Sequence, residues 1–75
     1  MNQKARLNLI SARKNKQYTQ TELASKLNIT ERQYQRLEAG TSKGSVDVWE
    51  KLKLILRAES IDWLLKQSGK NTLNK

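Results

Sequence analysis

Along the chain, Ala5, Leu9 and Ala12 recur at spacings of four and three, which lines one face of a helix between Ala5 and Lys16. Leu7 and Ile10 lie off that line and either widen the stripe or meet another surface. Thr19 followed three residues later by Glu22 forms a capping-box pattern: the hydroxyl accepts from an early helical amide and the carboxylate reaches back to the cap's own amide. A second helix therefore starts at about Gln20, with Leu23, Ala24 and Leu27 inward. Asn28 ends it, being one of the few non-glycine residues that tolerates positive φ. Thr30 caps a third helix with Tyr34 and Leu37 inward, and Gly40 stands where a C-terminal cap belongs. After the polar loop 41–44, Ser45 caps a fourth helix with Asp47 as a favourable first-turn anion. Its stripe is Val48, Leu52, Ile55 and Leu56, with Trp49 at the margin. Ser60 and Asp62 announce a fifth, shorter helix whose Ile61, Leu64 and Leu65 point inward, with Trp63 over the core's edge. The pattern stops after Gln67, and the basic tail 68–75, with its lone Leu73, is expected to be disordered.

This pattern implies an all-α, compact bundle of about five helices, and 75 residues hold one such core and no more. The absence of Pro and the presence of only three Gly agree with helices joined by short turns. Fifteen Lys and Arg stand against seven Asp and Glu, a net charge of +8, so a polyanionic partner is the first inference. With no Cys and no His, disulfides, thiolate nucleophiles, imidazole bases and the usual zinc ligand sets are absent together. No apolar run approaches the roughly 18 residues of a membrane span, and Met1 to Arg6 lacks the apolar stretch of a signal peptide. A cytoplasmic protein with no membrane contact is expected. There is no Gly-rich phosphate loop either, so neither an enzyme nor a cofactor, metal or small-molecule substrate is expected.

The informative stretch is TQTELASKLNITERQYQRLEAG, residues 19–40, whose apolar spacing and turn describe two helices crossing at a steep angle. Ala24 is small where the next helix must come close, and Asn28 supplies the tight turn. Leu23, Leu27 and Ile29 bury one side of the pair, Tyr34 and Leu37 the other. The remaining face holds Glu31, Arg32, Gln33, Gln35 and Arg36 near the exposed start of a helix. TQTELASKLNIT and RLEAG resemble the opening and closing motifs of the helix-turn-helix in the Cro/CI-type (XRE family) bacterial and phage regulators. The resemblance covers about residues 5–66.

That resemblance implies a lambda repressor-like DNA-binding domain over 1–67, with the helix-turn-helix at 20–38 and the second helix of the pair in the major groove. By the same resemblance Thr30, Glu31, Arg32, Gln35 and Arg36 face base edges or adjacent phosphates, Gln20 corresponds to a phosphate contact, and Lys43 lies in a loop that touches the DNA backbone. Chemistry agrees. Guanidinium binds guanine O6 and N7 through two hydrogen bonds and a glutamine amide does likewise at adenine, so Arg32 and Gln35 are the best base readers. Glu31 repels phosphate but accepts from a cytosine amino group. Gln33 is a further DNA-contact candidate, although its angle on the helix turns it partly toward the first helix pair. Gln20 meets phosphate where free helical amides add partial positive charge. The family further implies a structural ion pair between Arg13 and Glu38. Three departures from its pattern stand out. Tyr34 stands where Ile or Val is usual, and its hydroxyl needs a partner. Gln17 and Asn28 stand where glycine is frequent, and Gln17, the less comfortable of the two at positive φ, leaves the turn before Tyr18 open. Lys53 to Glu59 lacks the glycine that commonly ends the fourth helix, which leaves self-association open.

The expectation is a transcriptional repressor that binds double-stranded DNA site-specifically as a homodimer and acts by operator occupancy. Its rival is a protein-interaction module, an antitoxin or antirepressor, gripping a partner through Trp49 and Trp63. Taken alone, Arg32, Gln35 and Arg36 would be read as a solvated helix face, and Lys43 as an ordinary solubilising lysine. Of the other basic residues, Lys4, Arg6, Arg13, Lys14 and Lys16 either track a phosphate strand or are solvated, and most are read as solvated; Lys66, Lys70 and Lys75 are read as disordered, with nonspecific attraction to DNA as the alternative.

Overall fold

The computed structural model describes residues 5–67. Lys4, the tail 68–75 and its Lys70, Leu73 and Lys75 lie outside the described residues. Five helices and no strand occur among the described residues: α1 Leu7–Asn15, α2 Gln20–Leu27, α3 Glu31–Ala39, α4 Val46–Leu56 and α5 Ile61–Leu65. Four of the five begin on a hydroxyl cap. Thr19 Oγ1 accepts from the Glu22 amide while Glu22 accepts from the Thr19 amide, at 3.0 and 2.9 Å. Ser45 and Ser60 accept from the amides of Val48 and Trp63. Each cap satisfies an amide that the helix leaves unpaired, typically worth about 1 kcal/mol.

Left-handed residues end the helices. Asn28 (φ 61) closes α2, Gly40 (φ 83) closes α3, and Arg57 (φ 56) closes α4 without a glycine. After α1, Gln17 also takes the left-handed conformation (φ 63), so this turn keeps the geometry a glycine would give. Its strain is offset by the Gln17 and Tyr18 amides donating to the Lys14 and Arg13 carbonyls, at 2.9 and 3.2 Å.

The core gathers Leu9, Ala12, Leu23, Ala24, Leu27, Tyr34, Leu37, Trp49, Leu52, Leu56 and Leu64. Helix α2 packs on α3, α1 on α3 and α5, and α4 on α2 and α5. Ala24 is buried at the α2–α3 crossing and its carbonyl accepts from the Ile29 amide at 3.0 Å, which folds the turn back tightly. Three expectations need correction. The buried stripe of α4 runs through Trp49, Leu52 and Leu56, with Val48 and Ile55 only half-buried. Trp49 is 4% exposed rather than marginal, because its indole N–H reaches the Lys43 carbonyl at 2.6 Å and so satisfies the one polar atom that would resist burial. Arg6 is 5% exposed rather than solvated: its Nη1 donates to the carbonyls of Leu37 and Ser42 at 2.7 and 2.8 Å, and its guanidinium lies 5.1 Å from the Trp49 ring centre. Arg6 and Trp49 together tie the loop after α3 to the core.

Candidate nucleic-acid interface

Helix α3 is amphipathic, with Tyr34, Leu37 and Glu38 buried and Glu31, Arg32, Gln33, Gln35 and Arg36 exposed. Its start is fixed by a second capping box: Gln33 N–H donates to Thr30 Oγ1 at 3.0 Å, and Gln33 Oε1 accepts from the Thr30 amide at 2.9 Å. Gln33 therefore folds back on its own helix end, and its side-chain carbonyl is engaged there. The side chains of Arg32 and Arg36 have no hydrogen-bond or ion-pair partner among the described residues. Two exposed cations with all their donors free suit a polyanion that offers acceptors in a row.

The buried face of α3 holds a polar cluster centred on Glu38. Arg13 Nε donates to Glu38 Oε2 at 2.6 Å and Arg13 Nη2 to Oε1 at 3.4 Å, while Arg13 Nη1 donates to the Tyr18 carbonyl at 3.0 Å. The Tyr34 hydroxyl donates to Oε2 at 2.6 Å, which gives the tyrosine its partner. Gln20 Nε2 donates to Oε1 at 2.8 Å. The side chains of Arg13 and Glu38 are 11% and 6% exposed, so the pair is largely shielded from solvent. One carboxylate thus joins α1, α2 and α3 behind the exposed face.

The family resemblance implies the pairing of Arg13 with Glu38 but connects neither Tyr34 nor Gln20 to them. The i, i+4 spacing of Tyr34 and Glu38 on one helix was the available signal. Gln20 then continues outward, its Oε1 accepting from Gln35 Nε2 at 3.4 Å, and Gln35 Nε2 also donates to Glu31 Oε2 at 3.4 Å. Gln20, Gln35 and Glu31 form one group. Gln33 and Arg36 lie apart from it, along a groove shared with Ile29, Leu37, Val48 and, from the loop, Thr41, Ser42, Gly44 and Ser45. Lys43 is exposed, and its backbone is held by Trp49.

Electrostatics follow from this burial. The hydrogen bond to Glu38 raises the Arg13 pKa above its ordinary value. Burial, then the hydrogen bond to Glu38, holds the Tyr34 phenol well above the ordinary 10.0. A raised folded-state pKa means the native protein keeps a proton that the unfolded chain loses, so stability falls as pH rises past about 10. In Tyr34→Phe that contribution disappears, and the alkaline decline in the urea midpoint should be shallower than in the parent. Parallel declines for the two proteins between pH 9 and 11 would show that Tyr34 contributes nothing to it.

Among the described residues no group of His, Cys, Asp and Glu is arranged to hold a metal ion, and no helix is long and apolar enough to cross a membrane. A protein-family model described as "Helix-turn-helix" matches residues 9–64. No curated protein and no solved structure matches the chain.

Proposed function

The chain belongs to the Cro/CI-type (XRE) helix-turn-helix family of DNA-binding transcriptional regulators, and from that premise we propose that it is a repressor acting by occupying its operator as a homodimer. Helix α3 enters the major groove. Arg32 reads a base edge, Arg36 and Thr30 reach base or phosphate, and Glu31 and Gln35 accept hydrogen bonds from bases. Lys43 and the α2 start at Gln20 meet the phosphate backbone. Residues 1–67 form the binding unit, the tail 68–75 adds only charge, and the protein acts in the cytoplasm. The observation that carries this reading is the pair of cations, Arg32 and Arg36, unpartnered among the described residues, on a helix whose opposite face is locked to α1 and α2 through Glu38. A rigid back lets the front hold its register on a duplex, and phosphate contacts set that register while base contacts specify sequence.

The rival reading, a protein-binding module, loses support from Trp49. Buried and hydrogen-bonded to Lys43, it is not available to a partner, and only half-buried Trp63 remains.

Selection of bound duplexes from a random pool at physiological salt tests the proposal. An enriched near-palindrome with half-sites about 34 Å apart fits a dimer placing two α3 helices in successive major grooves. Enrichment of no sequence would refute it. Arg32→Ala should weaken binding to the selected site by about 1 to 3 kcal/mol and relax preference at one base position. An unchanged preference in the variant's own selection removes Arg32 from base reading.

A further inference from the structure

The hydrogen bonds between Glu38 and the surface of α3 have a direction, and that direction reaches the residues proposed above to read bases. Glu38, ion-paired with Arg13, offers only oxygen acceptors. Whatever touches it must donate, so Gln20 turns its amide nitrogen inward, at 2.8 Å from Glu38 Oε1. Its carbonyl oxygen then faces Gln35. Gln35 in turn presents its nitrogen to two acceptors, Gln20 Oε1 and Glu31 Oε2, each at 3.4 Å. A primary amide has two N–H groups and one carbonyl. Both N–H groups of Gln35 are directed at protein acceptors, and only its carbonyl oxygen is left for a ligand.

We propose that the Glu38–Gln20–Gln35 chain fixes Gln35 as a hydrogen-bond acceptor, so that Gln35 and Glu31 together read the exocyclic amino group of cytosine or adenine in the major groove. This rests on the DNA-binding reading above and narrows it. A free glutamine would grip adenine through both N6 and N7, whereas a glutamine with its nitrogen engaged recognises the amino group alone. Glu31, with no hydrogen to give, reinforces the same polarity and disfavours the O4 and O6 edges of thymine and guanine. Gln20 is here a positioning residue, acting on base choice through Gln35. The buried carboxylate that joins the three helices also sets the sign of the surface contact.

The experiment starts from the motif selected by the full-length protein. Selection with Gln35→Ala identifies the position that depends on Gln35, and that position should be cytosine or adenine. Removing its amino group, with 2-pyrimidinone in place of cytosine or purine in place of adenine, should weaken binding about fivefold to tenfold, with no loss in Gln35→Ala. If the base is adenine, 7-deazaadenine should bind as adenine does. Gln20→Met, which has similar length and no polar end, frees Gln35 to rotate and should admit thymine or guanine at that position.

A motif with thymine or guanine there, an N7 requirement as strong as the amino requirement, a Gln35→Ala selection identical to the parent's, or a Gln20→Met selection with unchanged preference would each overturn the inference while leaving sequence-specific binding intact. Enrichment of no sequence by the parent protein would overturn both.

Discussion

Glu38→Ala should lower the unfolding free energy by about 3 to 5 kcal/mol, the range for removing one partner of a buried ion pair. The substitution strands Arg13, whose side chain is 11% exposed, and takes the acceptor from the Tyr34 hydroxyl and from Gln20. Water cannot readily replace that acceptor, because the carboxylate sits where α1, α2 and α3 converge. A domain of this size has a total stability of the same order, so the variant should be partly unfolded at room temperature. Urea titration followed by far-ultraviolet circular dichroism measures the loss. The double replacement Arg13→Met with Glu38→Leu should recover most of it, since two apolar side chains leave no charge unpaired, although Tyr34 still lacks its acceptor. A loss below about 1 kcal/mol for Glu38→Ala would mean that solvent reaches the cluster and that the pair is energetically a surface one.

Apart from the Arg13–Glu38 pair, which the family resemblance supplies, the features legible in the sequence are those whose partners lie within four residues of one another. Thr19 with Glu22, Asn28 at the end of α2, Thr30 at the start of α3 and Gly40 at its end are local, because capping geometry involves only one turn of chain. The exposed face of α3 was legible for a related reason: once Tyr34 and Leu37 define the inside, the helical period places Arg32 and Arg36 outside. Burial of Trp49 was not, since Val48 and Trp49 are adjacent and a small rotation of α4 decides which turns inward. That rotation is settled by the Lys43 carbonyl waiting for an indole N–H. Gln17 shows the limit of propensity, where two helix-closing hydrogen bonds outweigh the cost of a left-handed glutamine. Beyond its i, i+4 neighbour Glu31, the polarity of Gln35 depends on Gln20 in another helix and on the Glu38 carboxylate that it never touches, which no spacing in the chain encodes.

Arg6 is the clearest case of a charge whose role is set by distant chain, and its removal should have the second large effect. Its Nη1 donates to carbonyls 31 and 36 residues away, its backbone N–H donates to the Glu38 carbonyl at 2.8 Å, and its guanidinium lies over Trp49. No carboxylate balances it among these contacts, and its Nε is buried without a partner among the described residues. Burial lowers its pKa from the ordinary arginine value, but guanidinium remains charged in proteins. The charge is therefore held by carbonyl dipoles and the indole face, and those same groups need it. Arg6→Ala should cost about 2 to 4 kcal/mol, from two charge-assisted hydrogen bonds and a desolvated cation–π contact that are not fully additive. Arg6→Lys should recover less than half, because an ammonium lacks the planar fork and the stacking surface. In Arg6→Lys, amide hydrogen exchange at Ser42 to Ser45 should accelerate more than exchange within α2, since the lost contacts are those that fix the loop after α3. Lysine restoring full stability, or uniform acceleration across the protein, would show that the arginine contributes bulk to the core and does not anchor the loop.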